Sequence, residues 1–307
     1  IVPKFDFKYQ AIGAETPFSL KNENTIELIP GDIALLVGPT GSGKTYLISQ
    51  LAKAAGLGFY TIDASSITPS GYKGTNLSQA IYAVKSGAES SSKFETSIIL
   101  FDEFDKLAYG RNGQTEEFNS QANFLTLLEG KVFTHTDSNG VNHKLNTSRI
   151  LFLFAGAFQG LDEVVKKRIS TRESIGFYSL DKKQEVDNKT LLAQATIADI
   201  EKYGFNRELL GRIGSIHYIP PLTRQDYLVL LREGENSVQG KYARLLEANK
   251  IGFRITDEAC DVIVNQAMEK NLGARAANTI VMEQILEADR RVDEDATIGE
   301  VTLHALD

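Results

Sequence analysis

The sequence predicts an α/β protein: a parallel sheet flanked by helices, followed by a smaller and mainly helical domain. Short apolar runs alternate with helical patterns up to about residue 217. The runs DIALLVG (32–38), GFYTID (58–63), SIILFDE (97–103) and RILFLFAG (149–156) are almost continuously apolar, as strands covered on both faces must be. Pro220 and Pro221 then break the pattern, and the residues beyond them read as one helix after another. These features divide the chain into a large domain over 1–217 and a small helical domain over 218–307.

Bulk properties exclude several classes. The 307 residues, 42% hydrophobic and 24% charged, suit about two soluble domains with cores of their own. A net charge of −7 argues against a surface built to grip nucleic-acid phosphates. Cys260 is the only cysteine, so no internal disulfide forms. Within TDEACDVIVNQAM it reads as a small buried hydrophobe, consistent with the cytoplasm or another reducing compartment such as an organelle matrix. No apolar run reaches the roughly 18 residues of a membrane span, and no signal peptide is visible.

In chain order, KNENTIELIPGDI reads as a strand and turn leading into the first apolar run, and TYLISQLAKAAG (45–56) as the helix after it. SGYKG (70–74) sets Tyr72 and Lys73 between Gly71 and Gly74, a poor composition for a helix or a strand. NLSQAIYAVKSG (76–87) has helical spacing, and the Ser-rich GAESSSKFET (87–96) reads as a loop. GQTEEFNSQANF (113–124) reads as a loop with Glu116, Glu117 and Phe118 at its tip. VFTHTDSNGVNHK (132–144) reads as a hairpin around Asn139-Gly140 that would bring His135 towards His143. A metal there needs more ligands, so a solvated hairpin is the simpler reading. The polar stretch at roughly 170–190, containing SIGFYSL (174–180), reads as a flexible loop. After the proline pair come TRQDYLVLLREG, KYARLLEANK and a helix capped by Thr256 with Asp257 and Glu258 in its first turn. A last helix aligns Val281, Ile285, Ala288 and Val292, and VTLHAL closes the chain as a strand.

GPTGSGKT (38–45) fits the phosphate-loop pattern G-x-x-x-x-G-K-[ST] between an apolar strand and an amphipathic helix. The loop Gly38, Pro39, Thr40, Gly41, Ser42 and Gly43 would offer its backbone N–H groups as a nest at the helix N-terminus. Lys44 would reach the β- and γ-phosphates, and the Thr45 hydroxyl would ligate Mg²⁺. SIILFDEFDK (97–106) ends a strand in Asp102 and Glu103, at the sheet edge where ligands sit in open α/β folds. Asp102 would hold Mg²⁺ through water, and Glu103 would orient and deprotonate the attacking water. Nucleotide hydrolysis is the reaction this pair of motifs supports. The process it drives stays open, because phosphate loops also serve transporters, helicases, GTPases and kinases.

From Gly38 onward the chain resembles the ClpX/HslU-type AAA+ protein unfoldases, ClpX most closely. The resemblance rests on GPTGSGKT, DEFDK, FLTLLEGKV (124–132), RILFLFAGAFQGLDEVV (149–165), FNRELLGRIGSI (205–216) and NLGARAANTI (271–280), in order over roughly residues 32–290. It implies an AAA+ large domain, a small helical domain, ATP with Mg²⁺, and a homo-hexamer. It further implies that Arg212 is an arginine finger reaching a neighbour's γ-phosphate, and that Arg275 is the sensor arginine of the small domain. Gly71, Tyr72, Lys73 and Gly74 stand where the family carries its first pore loop, and Ile175, Gly176 and Phe177 where ClpX docks on the ClpP peptidase ring.

The implied activity is ATP-driven unfolding of protein substrates, threaded through the ring towards a ClpP-type peptidase. A stand-alone remodeller without a peptidase and, less favoured by the acidic charge, a DNA-associated motor are the alternatives. Several positions depart from the family. The first 31 residues hold no counterpart of its adenine-binding motif, and no cysteine-rich zinc segment is present. Ala155 and Gly156 stand where many AAA+ proteins carry a polar sensor side chain, and 113–124 replaces the usual second pore loop.

Overall fold

The computed structural model describes residues 18–20, 26–28, 33–68, 75–109, 120–129, 132–136, 140–173, 191–233, 237–247, 252–270, 273–294 and 300–304. Among the described residues, the larger unit comprises those up to Pro39 and Lys44–Ile219, and the smaller unit comprises those from Pro220 onward together with Thr40–Gly43. Residues 71–74, 113–119 and 175–177 lie outside the described residues.

The larger unit is built on five parallel strands, β3 (Ile33–Val37), β4 (Gly58–Asp63), β5 (Ser97–Asp102), β8 (Leu151–Gly156) and β9 (Ser215–Tyr218), in the order β4-β5-β8-β3-β9. The four apolar runs are four of these strands. The fifth, SIHY, lacks their apolar signature because all four of its residues, at the sheet edge, are half-buried. Two short antiparallel pairs complete the strands: β1 (Phe18–Leu20) with β2 (Ile26–Leu28), and β6 (Val132–Thr136) with β7 (Asn142–Asn146).

The period of two along each strand divides the core. Ala34, Leu36, Ile98, Leu100, Leu151 and Leu153 pack with Ile48, Leu51 and Ala52 of helix α1 (Lys44–Ala54). Leu35, Val37, Ile99, Phe101, Phe152 and Phe154 face the other way, onto α2 (Leu77–Gly87), the short α3 (Ser91–Glu95) and α4 (Gln121–Glu129). This second face is rich in aromatics. Phe104 lies 4.3 Å from Phe154 and 5.0 Å from Phe205 between ring centroids, and Phe101 meets Phe124 edge-on at 5.0 Å.

Four expectations need correction. Residues 121–124, expected to belong to a loop over 113–124, open helix α4 instead. Residues 91–95 are not loop: the Ser90 hydroxyl accepts from Lys93 N at 3.1 Å and caps α3, whose Phe94 is fully buried. Helix α5 (Leu161–Glu173) extends to residue 173, into the stretch expected to be a flexible loop. The β6–β7 hairpin is not simply solvated. His135 and His143 face each other in the ladder, Tyr82 of α2 packs on both rings at 4.7 Å, and buried His135 bonds the Ser78 hydroxyl through Nδ1 at 3.1 Å. No group of three or more metal-binding side chains exists among the described residues.

Further along the described residues lie α6 (Ile197–Tyr203) and α7 (Arg207–Leu210). The fully buried Asp199 carboxylate ties α5 to α6. It accepts from Arg168 Nε at 2.8 Å and from Thr196 N and Oγ1 at 2.9 and 2.7 Å, while Arg168 Nη2 donates to Gln194 O at 2.7 Å. Burial alone would raise the pKa of the Asp199 carboxyl, but the bonds from Arg168 and Thr196 outweigh it and hold the group below its usual value.

The smaller unit comprises α8 (Arg224–Arg232), α9 (Val238–Glu247), α10 (Asp257–Lys270) and α11 (Ala274–Glu294), with a two-stranded parallel sheet of β10 (Gly252–Ile255) and β11 (Glu300–Leu303). Its separate core joins Tyr227, Leu231, Phe253, Ile263, Val264, Ala277 and Val281. Cys260 is buried there, and desolvation pushes its thiol pKa up, as expected of an inert packing residue. No described helix is long and apolar enough to cross a membrane.

Removing one partner of the Arg168–Asp199 pair strands the other's charge, so Arg168→Ala should cost about 3–5 kcal/mol in urea denaturation. Because the folded-state pKa of Asp199 is depressed, its contribution is present above the unfolded value of about 4 and is lost as pH falls through the folded value. Asp199→Asn should therefore lower stability at neutral pH and flatten the acid limb of the stability profile. An unchanged acid limb would contradict this assignment.

Candidate functional site

Because the strands of the sheet are parallel, their C-terminal ends share one edge. There β3 gives way to the loop 38–43, β5 ends in Asp102, and β8 ends in Gly156. Gly38 N donates to Gly156 O at 3.3 Å, fastening the start of the loop to the end of β8.

The loop is shaped for an anion. Gly41 and Gly43 have φ of 76° and 84°, a left-handed conformation that side chains resist, and α1 begins directly after them with no acidic residue in its first turn. The Lys44 side chain is buried and its ammonium donates to the carbonyls of Gly38 and Pro39 at 2.7 and 2.9 Å, which draws it back along the loop. The buried Ser42 hydroxyl has no hydrogen-bond partner among the described residues. An unsatisfied buried hydroxyl, a nest of backbone amides and a helix N-terminus together fit a polyphosphate.

The acidic half of the site lies beside it. Thr45 Oγ1 donates to Asp102 Oδ2 at 2.8 Å, joining the two side chains expected to face a magnesium ion. A hydroxyl and a carboxylate are hard oxygen ligands suited to that ion. Asp102 Oδ1 accepts from Glu103 N at 2.9 Å, and Glu103 itself sits at φ 55°, ψ 31° with its side chain exposed. A non-glycine residue in this region costs about 1–3 kcal/mol, and surrounding bonds must hold it there. Here they are the Asp102 bond and Lys106 N to Glu103 O at 3.0 Å. The left-handed turn at Glu103 ends the strand direction and leads into the packed turn Phe104–Leu107, leaving the carboxylate in solvent.

Nothing in the sequence singles out Asp105. It is buried within that turn, and its Oδ1 accepts from Ala157 N at 3.3 Å. An added Cβ on Gly156 would lie 2.6 Å from the same oxygen. The missing side chain at the sensor position is therefore room for a carboxylate supplied by the neighbouring strand's loop. The available signal is the second Asp of DEFDK together with a glycine at the end of β8, but only the β5–β8 pairing brings them together.

Arg212 belongs to the other edge. It lies just beyond α7, its Nη1 donates to Glu208 O at 2.7 Å, and it is half-buried. Gly214 N donates to Ile33 O at 2.8 Å, so the chain enters β9 beside the first residue of β3. The length of β3, about 13 Å at roughly 3.3 Å per residue, separates that end from the phosphate loop. Arg275 lies in the first turn of α11 in the smaller unit with its side chain exposed. The structure thus brings together Lys44, Thr45, Asp102 and Glu103, and leaves Arg212 apart from them.

Gly156→Ala tests the Asp105 contact. It should displace the carboxylate from Ala157 N and cost about 1–3 kcal/mol by overpacking, read from the urea midpoint. Full retention of stability would show that the turn yields freely.

Comparison with known proteins finds two family matches along the chain. Residues 34–176 match the ATPase family associated with various cellular activities (AAA), and residues 235–288 match the C-terminal, D2-small domain of ClpB protein. The chain is 32% identical over 293 residues to the ATP-dependent Clp protease ATP-binding subunit ClpX of Borrelia duttonii (strain Ly), covering 92% of this chain and 68% of that relative. It is equally similar, over the same shares, to the protein of that description from Borrelia recurrentis (strain A1). With the phosphate loop and its acidic partner at one sheet edge, these matches establish that the chain belongs to the AAA family of ATPases and is of the ClpX type.

Proposed function

We propose that this ATPase is a protein unfoldase whose subunits assemble as a homo-hexameric ring with nucleotide between neighbours. The observation that carries the reading is the separation of the catalytic groups. Lys44, Thr45, Asp102 and Glu103 stand at the C-terminal edge of the sheet, while Arg212 stands beside its N-terminal edge. An arginine so placed serves a phosphate held by the next subunit. Relatives described as ATP-binding subunits of an ATP-dependent Clp protease support a role beside a peptidase.

In this reading ATP is the substrate. The amides of the loop 38–43 bind its phosphates, and Lys44 turns from the Gly38 and Pro39 carbonyls towards the β- and γ-oxygens. Thr45 and Asp102 would hold Mg²⁺, which when bound neutralises charge on the phosphate oxygens. Glu103, in solvent on its strained backbone, accepts the proton of the attacking water. Arg212 offsets the charge that develops on the transferred phosphoryl group, as a planar and permanent cation can. Arg275 senses the nucleotide from the small domain.

The work done is mechanical. Tyr72, between Gly71 and Gly74 and beside Lys73, grips an extended polypeptide through area and shape rather than sequence. Ile175, Gly176 and Phe177 dock the ring on a ClpP-type peptidase, an apolar anchor in a partner's pocket. The setting is a reducing compartment such as the cytoplasm.

Two variants test this with ATP and a folded fluorescent protein as substrate. Glu103→Gln should still bind ATP while hydrolysis falls by about 10²–10⁴-fold. Tyr72→Ala should keep hydrolysis and lose unfolding, seen as persistent fluorescence. Normal unfolding by the Tyr72 variant would remove the pore-loop assignment, and unfolding without any stimulation of a peptidase ring would leave a stand-alone remodeller.

A further inference from the structure

The start of α4 carries three polar side chains that the catalytic scheme does not use. Ser120 and Gln121 are 2% and 1% exposed, far more buried than polar residues usually are. Gln121 Nε2 donates to Leu107 O at 2.8 Å and to Gly204 O at 3.1 Å, and its Oε1 accepts from Asn206 N at 2.8 Å. Ser120 Oγ donates to Ile67 O at 2.9 Å, and Asn123 Nδ2 to Thr68 O at 3.4 Å.

The partners lie beside residues 69–74 and the Arg212 turn, which the proposed function uses, and beside residues 110–119. Ile67 and Thr68 precede residues 69–74, and the far end of that segment is fastened to them: Thr68 N donates to Thr75 O at 3.1 Å. Leu107 precedes residues 110–119, whose far end is Ser120 itself. Gly204 and Asn206 form the turn into α7, and Arg212 lies just beyond that helix. Asn206 also caps α7, its Oδ1 accepting from Glu208 N at 2.7 Å. The turn is tightly fitted to the root of 110–119, for Tyr109 N donates to Gly204 O at 2.8 Å. Gly204 has φ 126°, and a Cβ there would lie 2.6 Å from Tyr109 O.

We infer that Gln121, with Ser120 and Asn123, is a positioning cluster that couples the Arg212 turn to the root of the substrate-gripping residues 69–74. The inference rests on the unfoldase reading. A shift of the α7 turn, as Arg212 engages or leaves a neighbour's phosphate, breaks or keeps bonds to one amide group. That amide is continuous, through Ser120, with the root of 69–74. Buried hydrogen bonds of this kind favour two discrete arrangements over gradual yielding, because a half-made set leaves buried groups unpaired. Coupling of this type is reciprocal in binding free energy, so polypeptide on the loops alters nucleotide affinity in turn, and a change in hydrolysis rate is its expected kinetic counterpart.

The chain contains no tryptophan, so Tyr72→Trp introduces a single fluorescent reporter. Ser120→Ala and Gln121→Glu are placed in that background, and two quantities are read. One is the emission change on adding ATP. The other is the stimulation of ATP hydrolysis by reduced, carboxymethylated α-lactalbumin, a permanently unfolded chain. Both responses should fall at least about threefold in Ser120→Ala, with basal hydrolysis held within about twofold. Gln121→Glu should lose both and also lower basal hydrolysis, since it removes the N–H groups that reach Leu107 and Gly204. If Gln121→Glu does not fold, Ser120→Ala alone decides. Full retention of both responses in the folded variants would overturn the coupling role. Absence of both responses in the Tyr72→Trp parent would instead overturn the unfoldase reading, and the coupling with it.

Discussion

The parallel pairing of β3 between β8 and β9 is the constraint on which the site depends. Parallel strands give the sheet two chemically different edges. At one, the chain leaves β3, β5 and β8, and there the phosphate loop, Asp102, Glu103 and the Asp105–Gly156 contact converge. At the other, the chain enters, and there Arg212 precedes β9. Burial on both faces keeps this polarity fixed: Leu36 packs to one side and Leu35 to the other, so a slip of one residue would exchange the two sets.

Among the described residues, strain and satisfaction are distributed unequally. Glu103 is held in a left-handed conformation, and the Ser42 hydroxyl lacks a partner among the described residues, both at the phosphate edge. Away from it, Asp199 accepts from Arg168 and Thr196, and Gln121 uses both ends of its amide. The contrast is what a site that binds and turns over a substrate requires: incomplete bonds where the ligand sits, complete ones where position must be kept.

Much of this is legible in the sequence, for physical reasons. GPTGSGKT and SIILFDE announce themselves because phosphate binding and sheet burial constrain residue type at consecutive positions. SIHY gives no strand signal, since an edge strand needs no continuous apolar run. The Ser-rich residues 91–95 resemble loop, yet one buried phenylalanine and a serine cap suffice for a short helix. Gln121 blends into a polar loop pattern, because polar residues are usually exposed and its partner Asn206 lies 85 positions away in sequence. Asp105 against Gly156 is hidden for the same reason, as the contact exists only once β5 and β8 pair.

In the proposed ring the catalytic site is shared between subunits, and mixing two inactive variants tests that sharing. Arg212→Ala keeps its own Lys44, Thr45, Asp102 and Glu103, while Glu103→Gln keeps its own Arg212. Each alone should hydrolyse ATP poorly. Mixed, they should recover a substantial share of activity, at interfaces where an intact Glu103 meets a neighbour's intact Arg212. If the mixture stays as inactive as its components, under conditions where the two chains co-assemble, Arg212 does not act across the interface.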